Sequence, residues 1–303
     1  MNNTIWANIK KYKYFYILIA PTVIFYILFS YVPMYGIIMA FKDFNFRLGI
    51  LHSPWVGLAN FKELLGYSDF KLSFLNTIII SLGRILIEFP VPVILALLMN
   101  EITSNKVKRV YQTVYTFPHF LSWVVLGGIL TSNLLNDQGV LNQLLSLVGL
   151  PKQDMLINPV LFRPLLFISN IWKEMGWSAI IYMAAISGID PSLYEAADID
   201  GASKFQRMTK ITWPGIRSAV AIMFILAIGN SMNAGFDQII NLYNPGVYHV
   251  SDIIDTYIYR MTFKVGWGFG LPTAVGFMKS ILNLIFLVAA NAIVKSKGEE
   301  GII

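Results

Sequence analysis

The chain has 303 residues, 56% hydrophobic and only 13% charged, where soluble domains carry roughly 25% charged residues. With a mean hydropathy of +0.60, this composition excludes an ordinary soluble domain and defines an integral membrane protein. The net charge of +6 is dispersed over several short intervals, so it marks membrane topology and not a nucleic-acid patch, and the absence of cysteine excludes disulfides and thiolate metal sites.

A bilayer core of about 30 Å needs about 20 mostly apolar helical residues. Six stretches meet that length: Tyr14 to Phe41, Phe74 to Met99, Tyr111 to Leu135, Phe162 to Ile186, Arg217 to Ile240 and Thr273 to Val294. The predicted fold is therefore all-α, with six transmembrane helices in a single domain over residues 1–303 and a polar segment, 190–214, between helices 4 and 5. A barrel would require alternating segments of about ten residues, and none of the six reads that way.

In chain order, the first span follows Lys10, Lys11 and Lys13 and has no Ala-x-Ala cleavage site, so it reads as a retained helix. The second carries Arg84 and Glu88 four residues apart, hence on one helical face where they neutralise each other, and Pro90 and Pro92 predict a kink just beyond. Two readings of the pair are open, a structural ion pair and a contribution to a solute path. After the third span, Val140, Leu141, Leu144, Leu145 and Leu147 form a helical stripe suited to lying on the mouth of the bundle.

The fourth span holds Asn170, Trp172, Lys173, Glu174 and Trp177 near its middle, and the fifth holds Asn230, Ser231, Asn233 and Asp237. Charges within a span cost at least roughly 2.5–3.5 kcal/mol unless paired or hydrated. These residues are candidates for a polar cavity; asparagines that bond neighbouring helices and aromatic belts are the competing reading. In the interval before the sixth span, Asp252-Ile253-Ile254-Asp255 reads as a helix cap. His52, His119 and His249 are widely separated and fit no zinc motif.

Between helices 4 and 5, Asp190-Pro191 is a helix start, since the carboxylate accepts from free N–H groups and proline lacks the donor that would be orphaned there. Gly201 allows a turn with positive φ, and Ser203 with Gln206 forms a capping box that opens a second helix. Ala196, Ala197 and Ala202 permit close approach, beside the carboxylates of Glu195, Asp198 and Asp200. The surface suits insertion into another protein's groove, and an ordinary amphipathic loop is the alternative. Placing both termini inside puts this segment in the cytoplasm and gives twelve Lys and Arg in the inner intervals against eight outside, about twice the density per residue.

The run Glu195, Ala196, Ala197, Asp200, Gly201, Ala202, Phe205, Ile211 and Pro214 resembles the EAA motif of permease subunits in binding-protein-dependent ABC importers. Trp213 and Ser218 depart from that pattern, where leucine and a second proline are usual. Gly139, Asn142, Leu145, Gly149 and Leu150 resemble an external segment of carbohydrate-uptake permeases. The runs Lys13-Tyr14-Phe15-Tyr16 and Tyr31-Val32-Pro33-Met34-Tyr35-Gly36, with Ala20-Pro21 between them, are similar to the branch that takes oligosaccharides from complex polysaccharides.

The resemblance implies a permease in the bacterial cell membrane, paired with a second homologous permease subunit, two cytoplasmic ATPase subunits and an external solute-binding protein. It implies that the segment from Glu195 to Phe205 docks the ATPase, and that Asn170, Trp172, Glu174, Trp177, Asn230, Asn233 and Asp237 border a sugar path. ATP and magnesium would be used by the partner subunits, with no cofactor bound by this chain, which has no Gly-x-x-x-x-Gly-Lys-Ser/Thr loop. A permease for a non-sugar solute and an ion-coupled secondary transporter are the alternatives, the latter expected to show two similar halves.

Overall fold

The computed structural model describes residues 10–299 and 301–302, and no β-strand occurs among them. Helices are the only way such apolar segments satisfy their backbone groups without water, short of a closed barrel. The main ones are α1 (Lys13–Phe41), α2 (Ser68–Asn100), α3 (Asn105–Phe120), α4 (Trp123–Leu134), α5 (Val140–Leu147), α6 (Pro159–Ser187), α7 (Pro191–Ile199), α8 (Lys204–Ser231), α9 (Phe236–Leu242), α10 (Ile254–Tyr259) and α11 (Gly270–Ser296).

Prolines shape these helices in a consistent way. In α1, α2 and α8 a π-turn ends two residues before a proline: Ile27–Tyr31 before Pro33, Arg84–Glu88 before Pro90, and Met208–Thr212 before Pro214. The widened turn relieves the clash of the proline ring with the preceding carbonyl and absorbs its missing donor. Ahead of Pro90, α2 widens at that π-turn and continues from Ser68 to Asn100, with Phe89 N–H bonding the Arg84 carbonyl at 3.0 Å.

Two predicted spans are interrupted. The third, 111–135, is a pair of helices meeting at 95°. Pro118 closes α3 in a tight 3-10 turn, Leu121 is extended, and the Ser122 side chain caps α4 by accepting from Val125 N–H at 3.2 Å. The fifth, predicted to reach Ile240, stops at Ser231, because the chain turns through positive φ at Ala234 (45°) and Gly235 (78°) before α9.

Four continuous helices, α1, α2, α8 and α11, are both long and apolar enough to cross a bilayer, and the α3–α4 pair makes up to five. The expected six is therefore not what length and apolarity give. The remaining predicted span corresponds to α6, which at 29 residues has ample length, about 43 Å, but whose middle is made polar by Asn170, Lys173 and Glu174.

The chain divides into two compact units, one up to Gly66 with Met261–Phe277, the other Tyr67–Arg260 with Met278 onward. In the first, Asn60 Nδ2 donates to the Ala40 and Lys42 carbonyls at 2.9 and 3.0 Å, and Phe41 stacks on Trp55. No residue of Lys13–Tyr26 is buried. In the second, one apolar cluster gathers Ile80, Phe162, Leu166, Ile239 and Ile253, and another joins Val93, Ala96, Ala179, Tyr182 and Ile216. Gly176 lets α6 approach the backbone of α3 at Tyr115 more closely than any side chain would allow.

Candidate functional site

Within the second unit, α2, α6, α8 and the turn after α8 enclose a cavity of about 410 Å³. Its wall brings together Arg84, Glu88, Asn170, Glu174 and Asn230, residues 146 positions apart in sequence at the extremes, with Ser231 and Gly235. Arg84 Nη1 pairs with Glu88 Oε2 at 3.2 Å, as the four-residue spacing predicts. Glu88 also accepts from Asn170 Nδ2, and Arg84 Nη2 donates to Gln238 Oε1. Gln238, fully buried on α9, in turn donates to the Leu166 carbonyl at 2.7 Å and Ser169 Oγ at 2.9 Å. Three atoms of the wall residues, Arg84 Nε, Glu88 Oε1 and Ser231 Oγ, are buried without a hydrogen-bond partner.

Glu174 connects this wall to the bend between α3 and α4. Its Oε1 accepts from buried Lys173 Nζ at 2.6 Å and its Oε2 lies 2.7 Å from His119 Nδ1. The His119 ring is stacked on Trp177 at 4.5 Å with planes 1° apart, and Lys173 also donates to the His119 carbonyl. Trp177 thus supports His119, while Trp172, Asn233 and Asp237 lie off the cavity wall. Asp237 falls in the first turn of α9, where a carboxylate complements the helix dipole.

Asn233 instead accepts from Lys279 Nζ at 3.0 Å; that ammonium, inside α11, holds both oxygens of Asp255 at 2.8 and 2.6 Å. Lys279 is a charge within the sixth predicted span that hydropathy alone passes over. Asp252 is not the cap predicted for it. Buried, it accepts from Ser73 Oγ at 3.0 Å, Thr256 Oγ1 at 2.8 Å and Arg260 Nη2 at 2.6 Å, and the N-cap position falls to Ile253. Of the stripe on α5, Val140, Leu144 and Leu147 are exposed while Leu141 and Leu145 are half-buried, and Asn142 is buried, bonded to the carbonyls of Asn136 and Gln153.

The segment 190–214 has helix, turn, helix geometry. Asp190 Oδ1 accepts from Ser192 N–H at 2.9 Å, which holds its carboxyl below the ordinary aspartate range, and Pro191 fills the first helical position. Gly201 has φ +71°, and Ala202 N–H returns to the Ala197 carbonyl at 2.9 Å. Ser203 and Gln206 form the reciprocal capping box. Arg207 ties the two helices to the end of α2 through Asp198 and Glu101. Leu193, Ile199 and Phe205 are exposed on this polar segment.

A charge-paired polar cavity held among apolar helices of bilayer length, with a polar helix-turn-helix segment following α6, defines the class: a membrane transport subunit. The chain belongs to the family of binding-protein-dependent transport system inner membrane components, whose model matches residues 88–298. It is accordingly a multi-pass permease and not an enzyme.

It is 43% identical, over 96% of its length and 90% of the relative's, to the polygalacturonan/rhamnogalacturonan transport system permease protein YteP of Bacillus subtilis. It is 38% identical to protein LplB of Bacillus subtilis, over 98% of this chain and 93% of that one. Among solved structures it is similar to a chain of the bacterial alginate ABC transporter in complex with an alginate pentasaccharide-bound periplasmic protein. There the TM-score is 0.90 at 35% identity, covering 98% of this chain and 99% of the other.

Proposed function

We propose that this permease forms half of the translocation path for an oligosaccharide derived from an acidic polysaccharide, delivered by an external solute-binding protein. The observation that carries the reading is the cavity wall itself. It leaves two donors, Arg84 Nε and Ser231 Oγ, and one acceptor, Glu88 Oε1, without partners, and buried polar groups in that state are costly until satisfied. A sugar hydroxyl both donates and accepts and satisfies such a set. The volume lies in the roughly 300–1,000 Å³ range of small-molecule sites. The relatives named for polygalacturonan, rhamnogalacturonan and alginate support an acidic sugar as the cargo.

In this reading α6 and the α3–α4 pair complete six crossings, both termini are cytoplasmic, and 190–214 is the coupling segment. Leu193, Ile199 and Phe205 enter a groove of a cytoplasmic ATPase subunit that binds ATP and magnesium, and closure of that groove moves α7 and α8 as a rigid body. A second permease subunit completes the path; the unburied apolar surface of α1 supports such a neighbour. The inner-side density of Lys and Arg supports the orientation.

The test is reconstitution of the assembled importer in liposomes. ATP-dependent uptake of oligogalacturonides that requires the loaded binding protein is expected. Uptake driven by an ion gradient without ATP overturns the reading.

A further inference from the structure

Chain continuity joins the 190–214 segment to α6 and α8 but not to α2, whose Arg84, Glu88 and Pro92 form another part of the cavity wall. One side chain spans that gap. Arg207, in the first turn of α8, extends Nη1 to Asp198 on α7 and Nη2 to Glu101 Oε2 at 3.6 Å. Glu101 sits in the closing turn of α2, its N–H donating to the Leu98 carbonyl at 3.2 Å and Ile102 N–H to that of Met99 at 3.4 Å. The Arg207 and Glu101 side chains are only 19% and 18% exposed, and Arg207 Nε is buried without a hydrogen-bond partner. A guanidinium so enclosed needs its carboxylates, and its planar fork reaches two of them at once. Helices α7 and α8 are pinned a second time where Tyr194 OH lies 2.9 Å from the Oγ1 of fully buried Thr212. Displacement of α7 therefore carries Arg207 with it.

We propose that Arg207 is a positioning residue of the transport stroke: through Glu101 it hands the displacement of α7 to α2, so that α2 and α8 move together. The cavity residues they carry, Arg84 and Glu88 on α2 and Asn230 on α8, then shift as one unit. From Glu101 back to Glu88 is about 20 Å of helix, a short lever for such a motion. Val93 and Ala96 of α2 also pack with Ile216 of α8, but apolar contact is non-directional and lets helices slide past one another. The ion pair opposes that sliding because its two ends are fixed points on the two helices. The inference rests on the coupling role proposed above for 190–214 and adds the route by which the motion reaches a helix outside that segment.

The experiment measures oligogalacturonide uptake and ATP hydrolysis in the same liposomes of the assembled importer. Glu101→Gln leaves the Asp198 contact and the exposed apolar residues of 190–214 in place. The ATPase subunits are expected to co-purify undiminished and to hydrolyse ATP, while solute imported per ATP falls roughly fivefold or more. The chain contains no cysteine, so Glu101→Cys/Arg207→Cys places one defined pair of thiols in it. That variant is expected to be uncoupled in the same way, to regain coupling when a short bis-methanethiosulfonate joins the two thiols, and to lose it again on reduction. The cysteine-free chain with the same partner subunits, treated alike, reports what the reagent does to the partners. An ion pair that only stabilised the fold would lower the unfolding temperature and leave the ratio of uptake to hydrolysis unchanged. An unchanged ratio in Glu101→Gln overturns the proposal. Inhibition by the crosslink does so too, since it would mean that the two residues must part during the stroke, as does loss of the ATPase subunits from either variant, which would make the pair part of the docking surface. Uptake by the wild-type importer without ATP would instead overturn the coupling role on which the inference rests.

Discussion

Gly235, in the turn between α8 and α9, rests its bare Cα directly against the guanidinium of Arg84 on α2. The glycine is required twice over, by its φ of +78° and by the absence of space for a Cβ, and the contact fixes the cation where it meets both Glu88 and Gln238.

Gly235→Ala is therefore expected to cost roughly 1–3 kcal/mol in backbone strain and to displace Arg84 from Gln238. Thermal unfolding of the purified importer should show the loss, and uptake should fall with it. Wild-type stability and transport in this variant would show that the contact does not constrain the site.

The Arg84–Glu88 pair is held away from water, so removing one partner leaves an uncompensated charge. Glu88→Met and Arg84→Met are each expected to destabilise by about 3–5 kcal/mol, and Arg84→Met/Glu88→Met by less than the sum of the two. A double-mutant cycle on unfolding measures the coupling; additivity would mean the two side chains act separately.

At Gly201 nothing lies within reach of an added Cβ, so substitution there tests backbone conformation alone. Gly201→Val, β-branched and ill suited to φ +71°, is expected to abolish ATP-driven uptake while the chain still inserts in the membrane. Gly201→Asn, which tolerates the left-handed region, should transport. Equal transport by both variants would remove the turn from the coupling mechanism.

The Asp190 carboxyl titrates below its ordinary value because it accepts from Ser192 N–H. A depressed folded-state value means the cap is fully present above the ordinary aspartate range, about 3.9, and is lost as pH falls through the lowered folded value. Amide exchange at Ser192 should accelerate over that acidic window in the wild type. Asp190→Asn, which caps without ionising, should show no such window, and a window of the same depth in that variant would assign it to another group.

The sequence carried the coupling segment almost in full, because its signals are local: a carboxylate before proline, a glycine, and a serine three residues from a glutamine each act within one helical turn. The α2 ion pair was legible for the same reason. The breaks at Leu121 and at Ala234-Gly235 were not, since hydropathy averages over a window longer than the turn. His119 was left without a role and Gln238 was missed because their partners Glu174 and Arg84 lie 55 and 154 residues away.

Composition and apolar run length alone thus determined that this chain lives in a bilayer and is helical there, as lipid offers backbone groups no other partner. Tertiary packing alone decided which polar side chains meet. Lys279 finds Asp255, Asp252 finds Ser73 and Arg260, and Glu174 finds His119 because a buried charge must be neutralised by whatever the folded helices bring within about 3 Å, and that neighbour is set by the three-dimensional path of the chain.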